Sequence, residues 1–567
     1  MTDAVGEDQR SNPVRRRMTR AERKVILASS LGTVFEWYDF YLYGLLATVI
    51  SAQFFSGVNE TTGFILALAA FAAGFAVRPF GALLFGHLGD LVGRKYTFLI
   101  TMGLKGLSTF AVGLLPSYAS IGIAAPVLLV TLRLLQGLAL GGEYGGAATY
   151  VAEHAPDGRR GFYTSFIQTT ATLGLFAALL VVIGIRVAIG EEAFAAWGWR
   201  LPFLVSIGLL AVSMWIRLQL AESPVFQKMK DEGKGSKAPL KDAFGKRDNL
   251  KLVLIALFGA VAGQAVVWYA GQFYALFFLE RTLKVDGATA NIMIAVALAL
   301  ATPFFLFFGW LSDRIGRKPI ILTGCALAAL TYFPLFQALT YAANPALAEA
   351  QQRAPAALVV NPERCSVQFD PVGRNRFDES ACDVAKAYLA RAGIPYRTRH
   401  WESGPGADPM PDRARLLLGD RQIAELDTAA LAEPATRKEV IAGFQKTLKA
   451  ALDEAKYPAK ADPGRINHGL VIAILFLLVL YVTMVYGPIA ALLVELFPTR
   501  IRYTSMSLPY HIGNGWFGGF LPTTSFALVA ATGDIYFGLW YPIAVAALTV
   551  VIGLFLLPET FRRKIED

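Results

Sequence analysis

The sequence predicts an all-α polytopic membrane protein with twelve transmembrane helices in two pseudo-symmetric halves of six and an insertion between helices 9 and 10. Hydrophobic residues make up 55% of the 567 residues and charged residues 17%, with a mean hydropathy of +0.46. Soluble domains carry about 25% charged residues. A transmembrane helix needs roughly 20 mostly apolar residues. Twelve stretches satisfy this need: 26–50, 63–86, 96–115, 121–150, 162–189, 199–219, 250–280, 288–310, 319–341, 468–494, 503–530 and 535–558.

Two phrases of the sequence each occur twice. Residues 86–95 (GHLGDLVGRK) return at 309–318 as GWLSDRIGRK, each time as a charged loop between two apolar stretches. The pattern Glu-x-x-Pro-x-x-x-Arg occurs at 153–160 and again at 495–502. Two halves related by repetition are typical of secondary transporters. The second pair of copies is farther apart in the chain than the first, which indicates an insertion in the second half.

The predicted organisation follows from these boundaries. A signal peptide is the alternative for the first apolar stretch, but that stretch is too long and no small-residue cleavage site follows it. The chain divides into a cytoplasmic basic tail (1–25), a first six-helix half (26–219), a cytoplasmic linker (220–249), helices 7–9 (250–341), the insertion (342–466), helices 10–12 (467–558) and a cytoplasmic tail (559–567).

Lys and Arg residues predict the orientation in the membrane. With the N-terminus inside, the loops between even- and odd-numbered helices are rich in basic residues, whereas the short loops on the other side hold only Arg281 and Lys284. Both termini are therefore predicted to lie on the cytoplasmic side of the inner membrane. The net charge of +10 then reflects topology. We expect no nucleic-acid partner, because no basic loop has interleaved aromatic residues.

The insertion is predicted to lie outside the cytoplasm and to form a small domain, since long unstructured loops are uncommon in compact proteins. Its segment 438–457 has the pattern of an amphipathic helix. Cys365 and Cys382 lie in the insertion, where an oxidising compartment favours a disulfide over two free thiols. Cys325, in helix 9, is interpreted as a packing residue. No cluster has the spacing of zinc ligands, so we expect neither a metal nor a cofactor.

Charged side chains inside the membrane are the strongest indication of function, because each costs on the order of 3 kcal/mol at the bilayer centre. They lie almost entirely in the first half: Glu36, Asp39, Arg78, Lys105, Arg133 and Glu143. An alternative for Arg78 is a structural ion pair with Glu36 or Asp39. The second half offers aromatic and amide side chains instead, which singly are more often packing residues than ligands: Trp268, Tyr269, Gln272, Tyr274, Tyr481, Tyr486, Tyr510, His511 and Asn514.

The duplicated loops, the paired Glu-x-x-Pro-x-x-x-Arg patterns and RLLQG at 133–137 resemble the major facilitator superfamily. Finer motifs resemble its metabolite:proton symporter family, which includes α-ketoglutarate, citrate, shikimate and proline/betaine transporters. The resemblance covers nearly the whole chain except the basic tail and the insertion. Those finer motifs are EWYDF at 36–40, RP at 78–79, GGEYG at 141–145, WGWRLPF at 197–203, ESP at 222–224 and ELFPTRIR at 495–502.

The resemblance implies alternating access, in which two halves rock around a central site. It also implies that Asp39 and Arg133 couple substrate to protons, with Glu36 beside them. An Asp next to an Arg releases its proton readily and can bind one once substrate draws the Arg away. The implied gating residues are Asp90, Arg94, Glu153, Arg160, Asp313, Arg317, Glu495 and Arg502. The residues interpreted as substrate-binding are Arg78, Lys105, Glu143, Tyr144, Trp268, Tyr269, Tyr274 and Asn514.

These residues predict a proton-coupled symporter that imports a small organic acid or zwitterion across the lipid bilayer and works as a monomer. Three intramembrane cations oppose three carboxylates, and protonation of one carboxylate would leave a net positive cavity suited to a carboxylate-bearing substrate. One alternative is a drug or metabolite antiporter of the same fold, which the intramembrane charges disfavour. Another is a transporter-like receptor that binds a ligand with its insertion. An enzyme is not expected, because no catalytic motif is present.

Overall fold

The computed structural model describes residues 20–56, 60–219, 222–366, 377–400 and 412–565. Most of the basic tail lies outside the described residues. Within the described part, nine helices are long and apolar enough to cross a membrane. The first half contains six long helices: α1 (Arg20–Leu45), α2 (Glu60–Leu91), α3 (Arg94–Leu114), α4 (Ala124–His154), α5 (Arg160–Ile189) and α6 (Arg200–Leu218). Short helices flank them at Ala47–Phe54, Tyr118–Ile121 and Glu191–Ala193.

The second half follows a linker that contains two short helices, Pro224–Asp231 and Pro239–Phe244. Its membrane helices are interrupted more often than those of the first half, by π-helical turns at 257–261, 270–274, 278–282 and 513–518. Such turns frequently occur at functional sites. The long helices are α7 (Arg247–Thr282), α8 (Gly287–Ile315), α9 (Arg317–Ala343), α13 (His468–Leu496), α14 (Arg502–Ile512), α15 (Leu521–Thr532) and α16 (Trp540–Leu556).

Glycines bring α2 and α4 into close contact inside the first half. A Cβ atom on Gly137 would stand 2.2 Å from the carbonyl oxygen of Gly74, and one on Gly81 would stand 1.9 Å from the carbonyl oxygen of Leu138. Small residues allow such approach between membrane helices. Arg78 lies one helical turn after Gly74 and Arg133 one turn before Gly137, so the two arginines lie on either side of this contact, and both line the same cavity.

The insertion folds as a four-stranded sheet with three helices: α10 (Pro345–Arg353), α11 (Ala381–Ala392) and α12 (Pro434–Glu454). The strands are β1 (Ala356–Val360), β2 (Tyr396–His400), β3 (Arg413–Leu418) and β4 (Arg421–Asp427), in the order β2-β1-β3-β4. β1 pairs parallel with β2 and antiparallel with β3. α11 packs on β3 and α12 on β4. The helix expected at 438–457 therefore overlaps α12, whereas the sheet was not expected from the sequence.

The insertion is fastened to the membrane helices of the second half. The backbone N–H of Tyr396 donates to the carbonyl of Gly533 at 2.9 Å, just after α15, and the Lys386 ammonium donates to the carbonyl of Ala531 at 3.2 Å. The backbone N–H of Ala461 donates to the carbonyl of Lys284, just after α7, at 3.0 Å. These contacts join the insertion to helices that precede it and helices that follow it in the chain, so it is attached to the second half.

We expect Cys365 and Cys382 to form a disulfide. The structure pairs Cys365, which follows β1, with Cys382, at the start of α11. A cross-link that closes this loop should stabilise the insertion by about 3 kcal/mol through the entropy of the unfolded chain. Mass spectrometry of unreduced protein should give the cross-linked peptide, and a Cys365→Ser/Cys382→Ser variant should unfold at lower temperature. Two free thiols in the unreduced protein would contradict the pairing.

Candidate functional site

The two charged loops each hold a helix of the opposite half. At the end of α2, the carboxylate of Asp90 accepts hydrogen bonds from the backbone N–H groups of Tyr503 and Thr504, at 3.3 and 2.8 Å, where α14 begins. At the end of α8, Asp313 accepts two bonds of 2.8 Å from residues 161–162, where α5 begins. A helix N-terminus favours an anion, because its first N–H groups lack partners within the helix. The two copies of the repeated sequence therefore make equivalent contacts, each with a helix of the opposite half.

Buried ion pairs reinforce this end of the bundle, which we name the charged-loop end. The eight residues implied as gates all take part in it. Removing one partner of a buried pair is strongly destabilising, by about 3–5 kcal/mol, because the other charge is left unpaired. The N···O distances are 3.0 Å for Arg94–Asp90, 2.7 Å for Arg317–Asp313, 2.8 Å for Arg502–Glu153, 3.0 Å for Arg317–Glu495 and 3.8 Å for Arg160–Glu495.

Two further glutamates hold the charged loops, and sequence reasoning did not assign them a role. A carboxylate oxygen of Glu222 accepts from the backbone N–H of Lys95 at 3.1 Å. Glu559 accepts from the backbone N–H groups of Arg317 and Lys318 at 2.9 and 3.0 Å. Both glutamates follow the last helix of their half. These equivalent positions, just after the last helix of each half, are the signal in the sequence that could have identified the two glutamates.

Aromatic side chains join α1 of the first half to α7 of the second half. The rings of Trp37 and Trp268 lie 5.5 Å apart, and Phe273 stacks on Tyr41 at 6.2 Å and meets Phe40 edge-on at 6.2 Å. Offset and edge-on aromatic pairs are favourable beyond their buried area. The halves are thus in contact through ion pairs at the charged-loop end and through aromatic rings between α1 and α7.

A small cavity lies between these contacts, within the first half. The Arg133 guanidinium stacks 4.1 Å above the ring of Tyr43 and donates to Gln136 at 2.5 Å, and Gln136 donates to Thr109 at 3.2 Å. Asp39 lines the same cavity, so the structure brings the two implied coupling residues to one place. The side chain of Glu36 lies outside the described residues. The lining residues are Asp39, Phe40, Gly74, Phe75, Arg78, Lys105, Thr109, Arg133, Gln136, Gly137 and Leu140.

Lys105 and Glu143 form a buried ion pair beside this cavity. The Lys105 Nζ lies 3.3 Å from a carboxylate oxygen of Glu143, and both side chains are almost fully buried. Together with Asp39 they line a second cavity that extends toward α6, at Ser206 and Ser213. Asp39 and Lys105 belong to both cavities. The arrangement therefore holds Glu143 against Lys105 in a position next to the carboxylate of Asp39.

Arg78 occupies the boundary between the halves. Its guanidinium lies 4.3 Å above the ring of Phe75 and 5.7 Å from that of Phe40. Across the boundary, Gly515 packs against Phe75 and against the Cβ of Arg78. Within the described part of the chain, the Arg78 Nε has no hydrogen-bond partner. The planar guanidinium presents its donors as a fork that suits a carboxylate, and its contact with the ring of Phe75 restricts its orientation.

Tyrosines from both halves meet at the centre of the interface. The rings of Tyr144 and Tyr510 stack with centroids 3.7 Å apart, and the hydroxyls of Tyr486 and Tyr510 lie 2.8 Å apart. Gln168 donates to the Tyr144 hydroxyl at 2.7 Å, and Trp268 lies 6.2 Å from Tyr486. This cluster joins α4 to α13 and α14. It supplies aromatic faces next to the arginine of α2.

Two of the residues interpreted as substrate-binding have other neighbours. Asn514 and Gln264 exchange two amide hydrogen bonds of 3.1 Å, which join α7 to the π-helical turn after α14. The ring of Tyr274 lies away from the cavity, against Phe336 and Phe526 at 5.6 and 5.3 Å. Sequence reasoning could not separate Asn514 and Tyr274 from the residues at the centre, because both groups lie on apolar helices of the second half.

Comparison with known proteins decides the family. The family model of the Major Facilitator Superfamily matches residues 29–350, more than half of the chain. The chain belongs to the major facilitator superfamily. A second family model, described as Sugar (and other) transporter, matches residues 451–567. The superfamily predicted from the duplicated loops is therefore confirmed.

Relatives in this superfamily are transporters and not enzymes, as the sequence predicted. The chain is 37% identical over 325 residues to the proline/betaine transporter of Salmonella typhimurium. It is 36% identical over 323 residues to the shikimate transporter of Escherichia coli. These alignments cover 55% and 56% of this chain, and 64% and 72% of the two relatives. The chain thus spans less than two thirds of the proline/betaine transporter.

A solved structure shares the fold of this major facilitator protein. The proton:xylose symporter XylE, bound to 6-bromo-6-deoxy-D-glucose, matches with a TM-score of 0.64 over 96% of this chain and 98% of XylE. The identity is 15%, so the likeness concerns the fold alone. It confirms the helical major facilitator fold that the sequence predicted.

Proposed function

We propose that this protein is a proton-coupled symporter that imports a small organic acid or zwitterion by alternating access. The observation that carries the proposal is the cavity of the first half, where Asp39, Arg78 and Arg133 lie together among apolar helices. Charges at that depth are expensive and mark substrate or proton pathways. The proposal includes twelve membrane helices, cytoplasmic termini and a monomeric unit in the inner membrane.

The proposed gates are the two contacts between the halves. With cytoplasmic termini, the charged-loop end faces the cytoplasm and the insertion lies outside. Opening to the cytoplasm would separate Asp90 from the start of α14 and Arg502 from Glu153. Opening to the outside would separate the aromatic rings of α1 from those of α7. Because the insertion is fastened to the second half, it would move with that half during the cycle.

The proposed substrate carries a carboxylate. Arg78 offers a stacked guanidinium, and Tyr144, Trp268, Tyr486 and Tyr510 offer aromatic faces near it. Aromatic faces attract a cation, so the pair of features suits a zwitterion as well as an organic acid. The named substrates of the relatives, proline or betaine in one case and shikimate in the other, each combine a carboxylate with a different second group.

Transport in proteoliposomes tests the proposal. We expect accumulation of at least one carboxylate-bearing compound from a panel of proline, glycine betaine, shikimate, citrate and α-ketoglutarate when the outside is made acidic. The same vesicles without a pH gradient should only equilibrate the substrate. Accumulation that is indifferent to the pH gradient, or a preferred substrate without an anionic group, would contradict the proposal.

A further inference from the structure

His511 lies on the face of α14 that packs against α2 of the other half. Thr504, near the start of α14, lies against Gly86, and Gly515 lies against Phe75. These two contacts fix an antiparallel register between α14 and α2. Because residues 504, 511 and 515 share one helical face, the register places His511 level with residues 78–79 of α2. The histidine is therefore beside Arg78, across the boundary between the halves.

The imidazole of His511 is buried without a hydrogen bond. Its side chain is 3% exposed, and neither ring nitrogen has a hydrogen-bond partner among the described residues. Its ring meets that of Tyr510 edge-on at 5.1 Å. Buried polar groups are nearly always hydrogen-bonded in native proteins, so an exception calls for an explanation. On the other side of the boundary, the Nε of Arg78 is in the same situation.

We propose that a carboxylate of the substrate bridges Arg78 of the first half and His511 of the second half. The guanidinium donates to both carboxylate oxygens, and a ring N–H of the imidazole donates to one of them. The Arg78 Nε and one ring nitrogen of His511 then have a partner, through charge-assisted hydrogen bonds. The inference rests on the proposed function and deepens it, because it assigns the second donor for the substrate's carboxylate.

The bridge has a consequence for the transport cycle. Arg78 and His511 belong to halves that rock against each other, so both can hold one carboxylate only while the two helices are packed together. Substrate would then stabilise the closed arrangement by binding it better than either open one, which is the condition for a ligand to shift a conformational equilibrium. The stack of Tyr144 on Tyr510, next to His511, would form at the same step of the cycle as the bridge.

Binding to purified full-length protein tests the bridge. The probes are two matched pairs, glycine betaine with choline and shikimate with its methyl ester, in which the second member lacks the carboxylate. We expect a carboxylate probe to raise the unfolding temperature of the wild-type protein. We expect His511→Phe to weaken its affinity about tenfold, the usual effect of losing one hydrogen bond to a charged group. His511→Gln, which keeps a donor, should retain part of the affinity.

The control is the same substitution at His468, an exposed histidine at the start of α13, which should leave affinity unchanged. The bridge is refuted if neither carboxylate probe binds the wild-type protein, or if His511→Phe binds these probes as the wild type does. It is also refuted if His511→Phe weakens the binding of choline and of the ester as much as it weakens the binding of the carboxylate probes. If His511→Phe does not fold, the affinity of His511→Gln for the same probes is compared with that of the wild type instead.

Uptake by the same proteins separates this inference from the proposed function. Carboxylate binding that depends on His511, without accumulation under a pH gradient, would support the bridge and refute the symporter. Gradient-driven accumulation that His511→Phe performs like the wild type would support the symporter and refute the bridge.

Discussion

Replacing Asp39 by Asn is expected to abolish proton-driven accumulation of substrate while sparing exchange of substrate across the membrane. Asp39 is shared by the cavity that contains Arg78 and Arg133 and by the cavity that contains the Lys105–Glu143 pair. Asn has almost the same shape as Asp but cannot bind and release a proton. The substitution therefore removes the proton step and leaves the cavity filled, so substrate can still cross in both directions.

Proteoliposomes loaded with unlabelled substrate distinguish the two activities. With an imposed pH gradient, Asp39→Asn should bring labelled substrate only to equilibrium, whereas counterflow without a gradient should proceed at a rate near that of the wild type. Glu192→Gln, at an exposed carboxylate beyond α5, is the control and should accumulate substrate normally. Full accumulation by Asp39→Asn would remove this carboxylate from the coupling role.

The superfamily could be predicted from the sequence because a membrane allows few structures for long apolar stretches, and therefore few for the repeated segments that connect them. In lipid every backbone polar group must be satisfied within the protein, so long apolar stretches become helices. The copies at 86–95 and 309–318 then had to be loops at equivalent ends of two halves. The family match and the shared fold with XylE confirm the superfamily. The structure shortens the loops, because most of these residues belong to the ends of α2 and α8 or the starts of α3 and α9, and only 92–93 and 316 lie outside helices.

The partners of these loops could not be predicted, because they come from distant parts of the chain. Nothing in residues 86–95 indicates that Asp90 holds the backbone of Tyr503 and Thr504. The symmetry of the contact appears only when the halves are packed, since Asp313 makes the same bonds in the other direction. The sequence identified the residues, and packing assigned their partners.

The insertion illustrates a different limit. Its four strands contain five to seven residues each, and helices and loops separate them. An apolar run as short as β1 does not distinguish a strand from a piece of buried helix. The long amphipathic pattern of α12 was recognisable, because it repeats over several turns. β3 and β4 form a local hairpin across Gly419 and Asp420, but the pairings of β1 with β2 and with β3 join segments far apart in the chain, which no local pattern encodes.

Replacing Arg78 by Lys is expected to impair transport severely even though the charge is kept. The guanidinium is held in place by rings at 4.3 Å and 5.7 Å, and it can present two parallel donors to a carboxylate. Lys offers a single ammonium on a flexible stem, without the planar stacking. Loss of one hydrogen bond to a charged group corresponds to about 1.5–3 kcal/mol, or roughly a tenfold or greater loss of affinity.

Affinity and uptake should therefore fall together in Arg78→Lys, for the carboxylate probes and not for their partners that lack the carboxylate. Arg186→Lys is the matched control, because Arg186 also stacks on a ring, that of Phe194 at 4.7 Å, but lies at the far end of α5. That variant should transport as the wild type does. Normal uptake by Arg78→Lys would show that the positive charge alone is sufficient, and the carboxylate would then have to be recognised by another donor.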